Sequence, residues 1–402
     1  MVKFRKSSFW EQTKRIFLNK GFILSIWILI ALITAIKQYT TNSYNNYLIF
    51  KYCFLHAVNH ANLYISYPEY KDTNHYGPFF SLLIAPFALL PNFIGMILWQ
   101  LSNTLFLYWA ITKLSITQNH KVMILWLCGH ELLTSLLSLQ FNPSIAAIII
   151  LAYVFIERKQ DFWAAFFIIL GTFVKLYGIV GLAFFFFSKQ KKTFIISCIF
   201  WSLVFFLLPM VFFSPTYILH SYAEWYESLA EKNVLNATLT SYQDISIMGM
   251  ARRIFQNASI PNLPFIAVGL VLFGLPYLRF KQYKHEAFRM MLLASTLLFT
   301  VLFSSGSESP TYIIAFVGVA IWFTLQPTPH KKWHIVLLIF ALILTSFSPS
   351  DLFPKFIRDE YVKQYALKAL PCFLIWISII LDMLKNDFSN YPSNNQSVMN
   401  HE

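Results

Sequence analysis

Apolar runs separated by short polar breaks repeat along almost the whole chain. They fall near residues 21–36, 93–112, 122–139, 143–156, 162–174, 176–187, 193–213, 263–278, 290–303, 311–325, 335–347 and 366–384. A simple helical crossing of a bilayer takes about 20 apolar residues. Several runs are shorter, so the pattern predicts broken or flanked helices beside complete ones. Backbone polar groups in hydrocarbon must be satisfied within their own segment, which favours helices. The pattern therefore predicts an all-α, polytopic integral membrane protein with about twelve transmembrane or re-entrant helices. Residues 1–384 form one transmembrane domain. The Asn-, Ser- and Pro-containing tail, 385–402, is expected to be disordered and cytoplasmic.

Polar stretches interrupt this pattern unevenly. The first, 37–92, is long and aromatic, and runs through Tyr67-Pro68-Glu69-Tyr70-Lys71-Asp72-Thr73-Asn74-His75-Tyr76-Gly77-Pro78. Within it Phe79–Leu90 is apolar but too short to span. It is expected to lie in the interface or to dip in and return, stopped by Pro91. Further polar stretches are 214–262, the turn Ser304–Tyr312 and 348–365.

Composition narrows the class. Charged residues are 12% of the chain and hydrophobic ones 57%, against about 25% charged in soluble domains. Lipid is therefore the expected solvent, as the mean hydropathy of +0.55 also indicates. The net charge of +13 reads as cytoplasmic loop bias rather than nucleic-acid binding. With the basic N-terminus (Lys3, Arg5, Lys6, Lys14, Arg15, Lys20) inside, the alternating threads place Lys113, Lys121, Arg158, Lys159, Lys189, Lys191, Lys192, Arg279, Lys281, Lys284, Arg289, Lys331, Lys332 and Lys385 inside too. Both termini are then cytoplasmic, and the long polar stretches face the other side. A bacterial inner membrane fits this layout. No small-x-small cleavage site follows the basic lead, so the first helix is expected to stay uncleaved. Cys53, Cys128, Cys198 and Cys372 are scattered without CxxC spacing and imply neither a disulfide framework nor zinc. His56 and His60 could share a helix face, but no third ligand accompanies them, and no metal is expected. No Gly-rich phosphate loop is present, and no cofactor is implied.

A series of motifs is more specific in its order than in any member. Asn45-Asn46-Tyr47-Leu48-Ile49-Phe50 is followed by Asn62-Leu63-Tyr64, Tyr76-Gly77-Pro78, Ala85-Pro86-Phe87-Ala88-Leu89-Leu90-Pro91, and Leu98-Trp99 with Asn103. Gln140-Phe141-Asn142 then opens a helix, and Gly171-Thr172-Phe173-Val174-Lys175 precedes another. Over roughly residues 20–320 the chain resembles glycosyltransferase family 87 of the GT-C superfamily. The resemblance implies a GT-C-like membrane enzyme that takes a sugar, often mannose, from a polyprenyl-phosphate donor. It would pass that sugar to a glycolipid or glycan acceptor on the non-cytoplasmic face. Family members carry an Asp in a D-[FY]-x-x-[YF] pattern early in the first outer loop. Here Asn46-Tyr47-Leu48-Ile49-Phe50 stands in that place, and Asn cannot act as a general base.

Inverting transfer from a lipid phosphate needs a base for the acceptor hydroxyl and groups that stabilise the departing phosphate. The candidate bases are Asp72 and Glu69 in the first polar stretch and Glu308 in the short polar turn. Lys175 breaks an apolar stretch and is the first candidate for the phosphate. Arg252, Arg253 and His75 follow, since Arg binds phosphate in a bidentate way. Asn46, Tyr76, Gln140 and Asn142 are candidates for sugar hydroxyls. Glu131, beside His130 in mid-span, is a candidate for a membrane-embedded path. The alternative class is a transporter or flippase of lipid-linked sugars, in which Glu131 and Lys175 would line such a path. A non-catalytic relative that binds lipid-linked sugar is the third. Acids meeting Lys175 across one cavity favour the enzyme. Glu131 on a continuous central path favours transport.

Overall fold

The computed structural model describes residues 15–391 except Tyr242. All twelve apolar segments are helical, and the described residues contain no strand. The helices used below are α1 (Lys20–Thr40), α2 (Asn45–Val58), α3 (Phe80–Ala88), α4 (Asn92–Thr112), α5 (Gln118–Leu137), α6 (Asn142–Glu157) and α7 (Asp161–Lys175). A 3-10 helix, Tyr177–Phe187, follows. Then come α8 (Lys191–Phe212), α9 (Pro215–Asn236), α10 (Ile247–Ile254), α11 (Asn262–Gly274), α12 (Glu286–Leu302), α13 (Tyr312–Thr324), α14 (Lys332–Phe340) and α15 (Ala369–Lys385).

Local chemistry sets several helix starts. The Asn19 side chain accepts from the backbone N–H of Gly21 and Phe22 at the head of α1, which satisfies two donors that no helical carbonyl reaches. Pro143 and Pro215 stand in the first turns of α6 and α9, where the missing N–H costs nothing. Burial then sorts the helices. α6 and α13 are buried on nearly every side, so they form the centre. α8 exposes Ile196, Phe200, Leu203, Leu207 and Val211. That is one apolar stripe at helical spacing on an outward face, as lipid requires. Among the described residues α1, α4 and α8 are long and apolar enough to cross a membrane, while α6 and the apolar helices at Asn262–Leu278, Ser309–Thr324 and Lys332–Phe347 are shorter. At 1.5 Å per residue, the 16 residues of α6 reach only about 24 Å, so this central helix is shorter than the hydrocarbon layer.

The polar stretches carry more structure than their composition announced. The first contains α2, a helix of 14 residues. Its Tyr47, Phe50 and Cys53 are buried, and the Tyr47 hydroxyl donates to the Phe87 carbonyl at the end of α3. The segment expected to dip or lie flat is α3, which buries Phe80, Ser81, Ile84 and Ala88 against protein. The stretch 214–262 is mostly α9 and α10. The tail also stays packed further than expected. Phe388 is buried, and its N–H donates to Gln282 Oε1. Residues 392–402 of the tail, and Lys3, Arg5, Lys6 and Lys14 of the basic N-terminus, lie outside the described residues.

The two ends of the bundle differ in charge. At one end Arg289 makes a bidentate pair with Glu157 at 2.7 Å. There Arg158 reaches the Lys113 carbonyl, Lys121 reaches the Thr112 carbonyl, and Gln282 reaches Asp387. The opposite end gathers the polar stretches around a cavity. Near that end the buried Glu131 pairs with the buried Lys368 at 3.0 Å, and the Lys368 ammonium also donates to the Ser309 carbonyl and hydroxyl. Removing either partner would strand a charge out of water. Glu131 is therefore a tie between α5, the start of α15 and the 304–311 turn. His60, at φ 52, turns its Nε2 to the Phe213 carbonyl, while His56 is buried against the Tyr67 ring. The described residues hold no group of three His, Cys, Asp or Glu side chains placed for a metal.

Candidate functional site

A cavity of about 520 Å³ opens at the polar end. It draws together residues far apart in the chain: Asn46, Asp72, His75, Tyr76, Gln140, Lys175 and Glu308 all line it. Asn142 lies directly behind the wall, fully buried. Glu69 is exposed and lies off this lining. Arg252 also lies off it, paired with Asp244 at 2.5 Å, with its Nε donating to the Ile260 carbonyl. Arg253 is buried on the same short helix, away from the lining. Arg252 therefore fastens the segment before α10. Ile245 in turn donates to the Ser307 carbonyl and accepts from the Tyr312 hydroxyl, so this pair supports the turn that carries Glu308.

Lys175 ends α7. Leu176, at φ 47, reverses the chain into the 3-10 helix. The reversal is tight because Gly171 and Gly178 touch: a Cβ on Gly178 would come within 2.4 Å of the Thr172 nitrogen. The Lys175 ammonium donates to Asn142 Oδ1 at 2.8 Å. It also lies 5.5 Å from the centre of the Tyr76 ring and 5.2 Å from that of Tyr177, in reach of cation–π attraction. Asn142 Nδ2 donates to Gln140 Oε1 at 2.6 Å, and Gln140 Nε2 donates to Glu308 Oε2 at 2.9 Å. A cation and a carboxylate thus share one cavity, bridged by two amides. The backbone of Glu308 is fixed by Thr311, whose hydroxyl accepts the Glu308 N–H.

Gly77 brings the first polar stretch onto this cation. Its N–H donates to the Val174 carbonyl at 3.1 Å. A Cβ there would sit 2.1 Å from the Phe173 carbonyl oxygen and 2.9 Å from the Trp225 ring. Only glycine permits that approach, and it seats Tyr76 beside Lys175. Burial pushes the Tyr76 phenol well above its usual range, so it stays protonated. Asn46 lines the cavity, and its Nδ2 donates to the Ser138 carbonyl at 2.8 Å.

His75 stands at the side of the cavity. Its Nδ1 meets the Ser228 hydroxyl at 2.8 Å, and that hydroxyl also lies 3.3 Å from the Asn74 carbonyl. Burial, joined by the charges of Lys232 and Lys175 and opposed by Asp72, lowers the His75 pKa to about 4. A neutral imidazole can donate or accept hydrogen bonds, but it adds no charge for a phosphate. Asp72, with φ 73, sits at the mouth with its side chain about half exposed and pairs with Lys232 at 3.4 Å.

The sequence reading missed the contribution of α9. Trp225, Leu229, Lys232, Asn233 and Asn236 line the cavity. Trp225 Nε1 donates to the His75 carbonyl, and Asn236 Nδ2 donates to the Ser305 carbonyl. The signal was present: Ile218, Ser221, Trp225 and Ser228 recur at three- and four-residue spacing, and Asn236 lies two turns further along the same buried face. A stripe mixing Ser and Asn with apolar residues has the composition of a loop, which hides the helix.

The family model of glycosyltransferase family 87 matches residues 74–305, more than half of the chain. The chain belongs to glycosyltransferase family 87. No curated protein matches it. The family 87 match starts at Asn74 and ends at Ser305, so it takes in His75, Tyr76, Gln140, Asn142, Lys175 and the α9 wall. Asn46 and Asp72 precede it and Glu308 follows it, and the fold returns all three to the same cavity. Membership of family 87, with its apolar helices, makes this a membrane protein and a glycosyltransferase.

Proposed function

We propose that this protein moves a sugar, with mannose the first to test, from a polyprenyl-phosphate donor to a glycolipid or glycan acceptor. The single observation carrying this reading is that Lys175 and Glu308 face one cavity at the polar end of the bundle. The donor phosphate sits against Lys175, with its lipid tail at membrane level. The acceptor hydroxyl gives its proton to the Glu308 carboxylate, and its oxygen attacks the anomeric carbon from the face opposite the phosphate. The anomeric C–O bond breaks, and its electron pair leaves on the phosphate oxygen beside the Lys175 ammonium. Glu308 is preferred to Asp72 because Asp72 is at the open mouth and already engages Lys232. Glu69 remains outside the cavity lining, in a position suited to acceptor approach rather than to proton transfer. His75 and Asn46 serve as hydrogen-bonding groups for substrate hydroxyls, Trp225 offers a ring edge to the sugar, and Arg252 and Arg253 support the wall. The reaction occurs on the non-cytoplasmic face, because the basic loops lie at the opposite end. The protein resides in a bacterial inner membrane with both termini cytoplasmic.

The flippase alternative draws less support, since Glu131 is bound to Lys368 behind the cavity instead of lining it. The test is transfer of radiolabelled mannose from polyprenyl-phosphate mannose to endogenous acceptors in membranes carrying the protein. Glu308→Gln should lower kcat by about 10²–10⁴, the span of general-base catalysis. Lys175→Ala should lower it by about 10²–10³, as for loss of one charge-stabilising donor. Transfer in Glu308→Gln at the wild-type rate would exclude Glu308 as the base. Absence of transfer from every polyprenyl-phosphate hexose, with passage of such lipids across proteoliposomes, would establish the transport alternative.

A further inference from the structure

Two amides join the cation of the cavity to its carboxylate, and their orientation is fixed from both ends. A Lys ammonium can only donate, and an ionised carboxylate can only accept. Asn142 must therefore turn Oδ1 to Lys175 and Nδ2 to Gln140. Gln140 must turn Oε1 to Asn142 and Nε2 to Glu308. The observed contacts, 2.8, 2.6 and 2.9 Å, follow that polarity throughout. Hydrogen bonds aligned in one direction polarise one another, and more so away from bulk water.

The frame that carries the amides is rigid. Gln140 and Asn142 flank Phe141, whose ring stacks on Trp99 at 5.4 Å. Trp99 Nε1 donates to the Leu139 carbonyl at 2.8 Å. Pro143 fixes the first turn of α6, and Asn142 is fully buried. One carbonyl and one amino group of each amide are already used within the protein. Without the two amides, a Lys and a Glu lining one cavity are free to pair directly, which would occupy both groups.

We propose that Gln140 and Asn142 are positioning residues: they hold Lys175 and Glu308 apart and electronically coupled, so that each remains open to substrate. This changes their role from contacts for sugar hydroxyls to a spacer between the two charged groups. The catalytic meaning of the spacer rests on the transferase reading above; the coupling itself does not.

The coupling is tested first without turnover. Infrared difference spectra of detergent-purified protein, wild type minus Glu308→Gln, isolate the Glu308 carboxylate bands. Asn142 does not touch Glu308, yet Asn142→Leu should shift those bands in the same direction as Gln140→Leu, and by less. Asn142→Ala and Gln140→Met, which also lack the amide relay and add no charge, keep the test available if a Leu variant fails to fold. Glu308 bands unmoved by both Asn142 variants overturn the proposal, whether or not the protein transfers mannose. In the mannose-transfer assay each folded variant should lower kcat at least about tenfold with KM for donor and acceptor within about threefold, the pattern of a lost transition-state contribution. Raised KM at unchanged kcat would return both amides to sugar binding and overturn the spacer role. Absence of transfer from every polyprenyl-phosphate hexose in the wild type, with coupled infrared bands, would sink the lipid-phosphate transferase reading and leave the spacer standing.

Discussion

At the residue scale, the polar groups of this protein divide into those consumed by the fold and those left facing the cavity. Arg252, Glu131 and Lys368 belong to the first group, each held in a buried ion pair. Lys175 and Glu308 belong to the second, restrained by neutral amides. Sequence position alone does not separate the two groups, because Arg252 and Lys175 both follow apolar residues. What separates them is whether an opposite charge lies within reach in three dimensions. His75 offers a pH test. Its folded pKa is about 4, against an ordinary value of 6.5. Between those values the unfolded chain binds the extra proton, so stability rises with pH through this window and is lost as pH falls toward 4. The unfolding temperature in detergent should therefore climb from pH 4 to pH 6.5, and His75→Asn should flatten the part of that climb due to this ring. An unchanged slope in His75→Asn would assign the pH dependence to other groups.

At the element scale, the cavity is built by short pieces that cross over helix ends. α9 lays its mixed Ser, Asn and Trp face over the mouth, and the segment around Gly77 presses against the last turn of α7. Gly77→Ala places a methyl 2.1 Å from the Phe173 oxygen, and the atoms it meets are backbone and an indole ring rather than a flexible side-chain end. Overpacking of this kind costs about 1–3 kcal/mol. The variant should retain its helices by circular dichroism, unfold at a lower temperature and lose mannose transfer, because Tyr76 moves from Lys175. Wild-type transfer in Gly77→Ala would show that this approach does not set the site. The membrane helices were legible because apolar runs carry their own signal. α2 and α9 were not, since their hydrophobic faces are narrow and are completed by polar residues that only tertiary contacts explain.

At the scale of the whole molecule, charge and cavity mark opposite ends. The basic end carries Lys113, Lys121, Arg158, Arg279 and Arg289, and the other end holds the cavity. The positive-inside rule orients such an asymmetry. In a cysteine-free background, Thr240→Cys should react with a membrane-impermeant maleimide in intact cells, and Lys159→Cys only after permeabilisation; both positions are exposed. The reverse pattern would invert the topology and place the cavity in the cytoplasm.

The sequence by itself determined that the chain is helical and built for lipid, since backbone groups in hydrocarbon must pair within their own segment. It also singles out Lys175, Gln140 and Asn142 through the motifs Gly171-Thr172-Phe173-Val174-Lys175 and Gln140-Phe141-Asn142. The tertiary structure decided which charges remain available. Gln140 and Glu308 lie 168 positions apart, and Glu131 and Lys368 lie 237 apart. Which distant group neutralises or spaces a buried charge depends on how the helix ends converge, and no local pattern encodes that convergence.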